Sequence, residues 1–178
     1  MTYKLCLEKW HTDYMIKQAI KNGELYQIEK GIYSDQEHVS ELAVVTTKYP
    51  DAIITMDTAF YYHGLTDVIP DKYYIATSES SRKLRDSRII QMFVNDDILE
   101  DGVIQMQRRD AHFRIYDKER MLVELLRFKN KLPYDYYKEI LRNYRNMVYE
   151  LDIERLQEYA AKFPRSKMIS EALDKEVF

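Results

Sequence analysis

The chain has 178 residues, 46% hydrophobic and 32% charged, with a formal net charge of −3 and a single cysteine, Cys6. That length supports one sizeable core, or a small module joined to a larger one. One cysteine excludes an intrachain disulfide, and the mildly negative balance excludes a uniformly basic coat.

The opening "MTYKLCLEKWHTDY" mixes charges into its apolar residues and has no small-residue cleavage site, so no signal peptide is expected. Elsewhere the apolar runs are a few residues long, far short of the roughly 20 that span a bilayer. The expectation is a soluble, cytoplasmic protein with no membrane partner.

In chain order, Thr12 is suited to cap a helix that sets Tyr14 or Met15, Ala19 and Ile20 at helical spacing and stops at Gly23. "ELYQIEKGIYS" then predicts a hairpin that turns at Gly31 into Ile32 and Tyr33. "DQEHVSELAVVTTKYP" carries Val39, Leu42, Ala43 and Thr46 on one face and should be a helix ending before Pro50. After "AIIT", Thr55 or Asp57 can cap "MDTAFYYH", Gly64 suits the left-handed position past its end, and Pro70 forbids continuation. "KYYIAT" reads as a strand and "SESSRKLRDS" as an exposed loop. "RIIQMFV", "VIQMQRR" and "HFRIYD" are further strands, the first two separated by the acidic turn "NDDILEDG". Three amphipathic helices close the chain: one with Met121, Leu122, Leu125 and Leu126 on a stripe, one opening at Pro133, and "DIERLQEYAAKF". The fold class expected is α+β: a short module over residues 1–34, then an α/β domain over 35–178 with a small mixed sheet and C-terminal helices. The boundary after Ser34 rests on the change from hairpin to helix.

A search for chemistry yields little. His11, His38, His63 and His112 have neither an i,i+4 pair nor the HExxH spacing, so no metal site is expected. The four glycines are too far apart for a phosphate-cradling loop, no GxSxG elbow is present, and Cys6 between two leucines reads as a buried inert thiol. No cofactor is expected. Asp96, Asp97, Glu100 and Asp101 read as solvated turn residues. His63, immediately before Gly64, reads as a helix-ending residue whose ring can bond a terminal carbonyl. The 16 tyrosines fit core and rim packing better than a surface for stacking bases. Cations do cluster: Arg82, Lys83, Arg85 and Arg88, then Arg108, Arg109 and Arg114, with Arg127, Lys129 and Lys131 farther on. These could attract phosphates if they converged, or form an ordinary solvated surface shared with Asp86, Asp110, Asp117 and Glu119.

Three stretches, taken in order, resemble the AbiEi-type antitoxins of abortive-infection type IV toxin-antitoxin systems. "NGELYQIEKGIYS" looks like that family's wing with its closing Gly31 and Tyr33. "ITMDTAFYYHGLTDVIPDKYYIAT" looks like its helix ending in His63, Gly64 and Leu65. "FRIYDKERMLVELLRFKNKLPYDYYKEILRNY" looks like its strand and following helices. The resemblance covers nearly the whole chain.

It implies a winged-helix module at residues 1–34 and an antitoxin domain after it. It also implies no enzymatic activity, action against a nucleotidyltransferase-type toxin without a stable complex, and repression of its own operon by binding operator DNA. The DNA-binding residues would be Tyr14, Lys17, Gln18, Lys21 and Lys30. The basic face would be Arg82, Lys83, Arg85, Arg88, Arg108, Arg109 and Arg114. Only eleven residues precede Thr12, so the module is short for a full winged helix, and it is not basic. Two other readings stand beside this one: a protein-interaction module with an antitoxin-like fold and no DNA binding, and an enzyme using His63 or His112 with a nearby carboxylate.

Overall fold

A computed structural model describes residues 1–178. The fold is α+β, with a two-stranded sheet and a five-stranded mixed sheet among helices, and it divides into two compact units. The first takes Met1–Asp51 together with Met106–Phe113; the second takes Ala52–Gln105 and Arg114–Phe178. The boundary drawn at Ser34 therefore falls inside the first unit.

The first unit opens with a helix not anticipated from the sequence, α1 (Tyr3–Trp10), and turns through His11 and Thr12 into α2 (Asp13–Lys21). Thr12 caps α2 as expected, its Oγ1 accepting from Met15 N–H at 3.2 Å. Strands β1 (Tyr26–Glu29) and β2 (Ile32–Ser34) form the antiparallel hairpin. Residues just before α1 lengthen this small sheet: Thr2 bridges to Ile32, and Tyr33 N–H donates to the Met1 carbonyl at 2.8 Å. The core is Cys6, Ile16, Ala19, Leu25 and Tyr33, with Leu7 and Trp10 packed on it. Periodicity placed the helix correctly and its phase wrongly. Ile16 and Ala19 face inward, whereas Tyr14 is 70% and Met15 46% exposed. A third helix, α3 (Glu41–Lys48), is capped by Ser40 and buries Leu42, Val44 and Val45 rather than Val39 and Ala43.

In the second unit β3 (Ile53–Ile54) leads through Thr55 into α4 (Met56–Tyr62), followed by β4 (Tyr73–Ser78) and β5 (Ile89–Val94). The acidic turn contains a single helical turn, α5 (Asp96–Leu99), capped by Asn95. Then come β6 (Val103–Arg108) and β7 (Ala111–Tyr116), whose connecting tip belongs to the first unit. Strand order across the sheet is β5-β4-β3-β7-β6, with β4 antiparallel to β3 but parallel to β5, and β3 parallel to β7.

Parallel neighbours need a crossover, usually helical. Here residues 79–88 make it without a helix. Gln91 of β5 holds this strap. Its amide donates to Thr77 Oγ1 at 2.9 Å and to the Arg82 carbonyl at 3.1 Å, while its Oε1 accepts from Leu84 N–H at 2.8 Å.

Four helices complete the unit: α6 (Lys118–Phe128), α7 (Tyr134–Asn146), α8 (Ile153–Lys162) and α9 (Ser166–Ala172), the last not anticipated. The stripe Met121, Leu122, Leu125 and Leu126 is buried as expected, each side chain contributing on the order of 1.5–3 kcal/mol. Helix α6 also buries Glu119, Arg120 and Glu124, so it is central rather than amphipathic. No helix is long and apolar enough to cross a membrane.

Candidate functional site

The first unit brings together the residues expected to meet DNA. At 100° per residue, Tyr14, Lys17, Gln18 and Lys21 lie on the arc of α2 opposite Ile16 and Ala19, so burial of the latter turns the former outward. Met15 and Ile20, both exposed, flank that arc. Lys30 stands exposed at the turn of the hairpin between β1 and β2.

Local bonds set the orientation of this face. The Tyr3 hydroxyl donates to Asp13 at 2.6 Å, tying α1 to the start of α2 and raising the Tyr3 pKa. Asp13 also lies 3.7 Å from Lys17, and Gln18 donates to the Tyr14 hydroxyl at 3.3 Å. All of these are exposed and weak, so an incoming phosphate can displace them at little cost. Over residues 1–34 five lysines stand against four carboxylates, so any attraction for nucleic acid is local to the face.

The seven residues expected to form a basic face divide between the units. Arg108 and Arg109 lie at the β6–β7 tip in the first, the other five in the second. Within the second, Arg82, Lys83 and Arg85 project from the exposed strap. Arg88 is committed to Asp86 by two bonds, Nε to Oδ1 at 2.9 Å and Nη2 to Oδ2 at 2.7 Å, and Arg114 pairs with Glu100.

The second unit's most buried charges act structurally. Arg120, fully buried, donates from Nη2 to Glu124 at 3.1 Å and from Nη1 to the Ile98 carbonyl at 2.8 Å. Its guanidinium centre lies 4.6 Å from the Tyr116 ring and 4.2 Å from the Phe163 ring. Arg127 closes on the other oxygen of Glu124 at 2.6 Å. The i,i+4 and i,i+3 spacings were legible in the sequence, but nothing in them distinguishes a buried ion network from a solvated one. Asp117 caps α6, accepting from Arg120 N–H at 2.7 Å and from the Tyr159 hydroxyl at 3.0 Å. Burial lifts its carboxyl above the usual carboxylate range.

The His63–Gly64–Leu65 motif is also structural. His63 ends α4, and its Nε2 lies 2.6 Å from the carbonyl oxygen of Tyr116 on β7. The ring thus bonds a strand carbonyl rather than a carbonyl of its own helix. Gly64 takes φ +70° and Leu65 is buried. His112 belongs to the other unit. A cleft of about 360 Å³ lies between β5 and α6, lined by Thr55, Phe93, Asn95, Arg127 and Lys162 among others. Its two cations are both paired, Arg127 with Glu124, a carboxylate that Arg120 shares, and Lys162 with Asp101 at 2.9 Å. No group of three or more His, Cys, Asp or Glu residues is placed to hold a metal ion. No protein-family model matches this chain, and no curated protein shows significant similarity to it.

Proposed function

We propose that this chain is an antitoxin of the AbiEi type that counteracts a nucleotidyltransferase-type toxin and represses its own operon through the first unit. The observation that supports this most directly is the outward arc of α2. Tyr14, Lys17, Gln18 and Lys21 share one face of the second helix of a helix-turn-helix pair, and a hairpin carrying Lys30 follows at once. Two cations, an amide and a phenol at that spacing can contact phosphates and base edges when the helix lies in a major groove. Helix α1 then serves as the first helix of the pair and β1–β2 as the wing.

The test is an electrophoretic shift with the protein's own upstream DNA, titrated with salt and against unrelated DNA. Specific, salt-sensitive binding is expected, and equal affinity for both DNAs removes the autorepressor reading. Antitoxin action is tested separately, by co-expression with a neighbouring nucleotidyltransferase; growth that stays inhibited removes that part.

A protein-interaction reading is favoured by one observation, the apolar side chains Leu5, Tyr14, Met15 and Ile20 exposed on α1 and α2. Co-elution with a partner protein, lost in Met15→Glu, together with no specific DNA shift, would select it.

A further inference from the structure

We propose that the outer edge of β5 is a self-association surface, where the β5 strands of two copies of this chain pair antiparallel about a twofold axis. This does not rest on the DNA-binding proposal and concerns the second unit alone.

β5 is the terminal strand of the five-stranded sheet. Its ladder with β4 is bracketed by Tyr73 N–H to the Arg88 carbonyl at 2.8 Å and Glu79 N–H to the Val94 carbonyl at 2.9 Å. In a parallel ladder alternate residues bond the neighbouring strand, so the even-numbered residues of β5 serve β4. Gln91 and Phe93 turn their N–H and C=O groups to the open side. Proteins usually blunt such an edge with a charge, a proline or a bulge. Ile89–Val94 has none of these: its sequence is IIQMFV, it pairs with β4 in unbroken register, and Phe93 is 49% exposed.

The features of this strand fit a second copy of itself. Antiparallel pairing centred on Gln91 sets Gln91 against Gln91 of the second copy, each exchanging both backbone bonds. It also sets Ile89 against Phe93, and Ile90 against Met92. The four apolar side chains Ile89, Ile90, Met92 and Phe93 then meet one another across the axis, as an isologous interface requires, while Val94 at the strand end falls opposite Arg88. The flanks agree in charge. Exposed Lys83 and Arg85 lead into the strand and exposed Asp96 and Asp97 lead out of it, so antiparallel pairing brings the basic lead-in of one copy beside the acidic lead-out of the other. Gln91 can serve the centre because its side chain already lies inward on the strap, leaving only its backbone at the edge.

Sedimentation equilibrium on the full chain over a wide concentration range should show a monomer–dimer equilibrium. Phe93→Lys, at a partly exposed position, should keep the folded circular dichroism signal and weaken the dimer about tenfold, because the substituted side chain occurs twice in the interface. Arg85→Glu should also weaken it, and adding Asp97→Arg in the same chain should restore it. In a Cys6→Ser background, Ile90→Cys with Met92→Cys should give a covalent dimer on mild oxidation. Those positions form non-hydrogen-bonded pairs with Cα atoms about 4.5 Å apart, within disulfide range. A monomer at every concentration overturns the proposal and leaves the edge to a strand of a different protein. A dimer indifferent to Phe93→Lys, with no cross-link between the introduced cysteines, overturns it as well.

Discussion

Gly102→Ala separates two costs that a closely packed glycine can carry. Gly102 lies between α5 and β6 at φ +78°, and its carbonyl accepts from Asp117 N–H at 2.6 Å. A Cβ there would stand 2.7 Å from Arg120 Cβ and 2.9 Å from Asp117 Oδ1, closer than real Cβ contacts come. Neither neighbour yields easily, since Asp117 caps α6 and accepts from Tyr159, while Arg120 is clamped by Glu124 and two aromatic rings. The left-handed backbone costs about 1–2 kcal/mol for a residue with a Cβ, and overpacking adds about 1–3 kcal/mol. Gly64 is the internal control: it has φ +70° with nothing within 4 Å of its would-be Cβ. Gly64→Ala should therefore lose only the backbone part, about 1–2 kcal/mol, and Gly102→Ala about 2–5 kcal/mol. Urea titration of both variants measures the difference as a change in midpoint at constant slope. Gly102→Asn sharpens the test, because asparagine tolerates the left-handed region but still brings a Cβ. Equal midpoint shifts for Gly64→Ala and Gly102→Ala, or full tolerance of Gly102→Asn, would refute the packing argument.

Burial raises the Asp57 carboxyl, opposed by the nearby hydroxyls of Tyr74 and Tyr136; the fit is loose, since Asp57 Oδ1 and the Tyr136 hydroxyl are buried without a partner at hydrogen-bonding distance. The folded state then holds the proton more tightly than the unfolded chain, so Asp57 makes stability decline as pH rises from about 4 through the raised pKa. Asp57→Asn should accordingly be more stable than the parent at pH 7, with the gap closing near pH 4 in urea unfolding; a gap of the same size at both pH values would count against this. Lys17→Glu with Lys21→Glu should abolish specific DNA retardation, whereas replacing both by glutamine should lower the slope of log affinity against log salt by about two. An unchanged slope would remove α2 from the interface. His63→Ala should cost about 1 kcal/mol through loss of the bond to the Tyr116 carbonyl, with His63→Gln retaining part of it. Unfolding curves for the pair check this, and a DNA shift that follows His63 would contradict a purely structural role.

Several elements were legible because their cause is local. Thr12 accepts from the backbone N–H three residues on, so a short polar side chain before an apolar run marked that helix start. Thr55, one of two residues expected to cap α4, makes no such bond, and the caps at Ser40 and Asp117 are seen only in the structure. The hairpin at Gly31, the strands around Ile75, Ile89 and Ile115, and the stripe of α6 follow from turn chemistry, β-branching and helical period, all of which act over a few residues. Helix α1 was missed because its charged and apolar residues interleave and only Cys6 is fully buried. The phase of α2 was misjudged because Tyr14, Met15 and Ile20 are apolar enough to compete with Ile16 for the core, and hydrophobicity cannot tell which of them the packing of α1, Leu25 and Tyr33 will cover.

Residue type at short range was enough for the α+β class, the cap at Thr12, the hairpin and the lack of any metal-binding or nucleotide-binding spacing. Packing alone turned the arc of α2 that carries Tyr14, Lys17, Gln18 and Lys21 outward, divided the cationic residues between two units, buried Arg120 against two rings and left β5 at the end of its sheet. Each of these depends on which surfaces meet, and burial of one face is what assigns the opposite face to solvent.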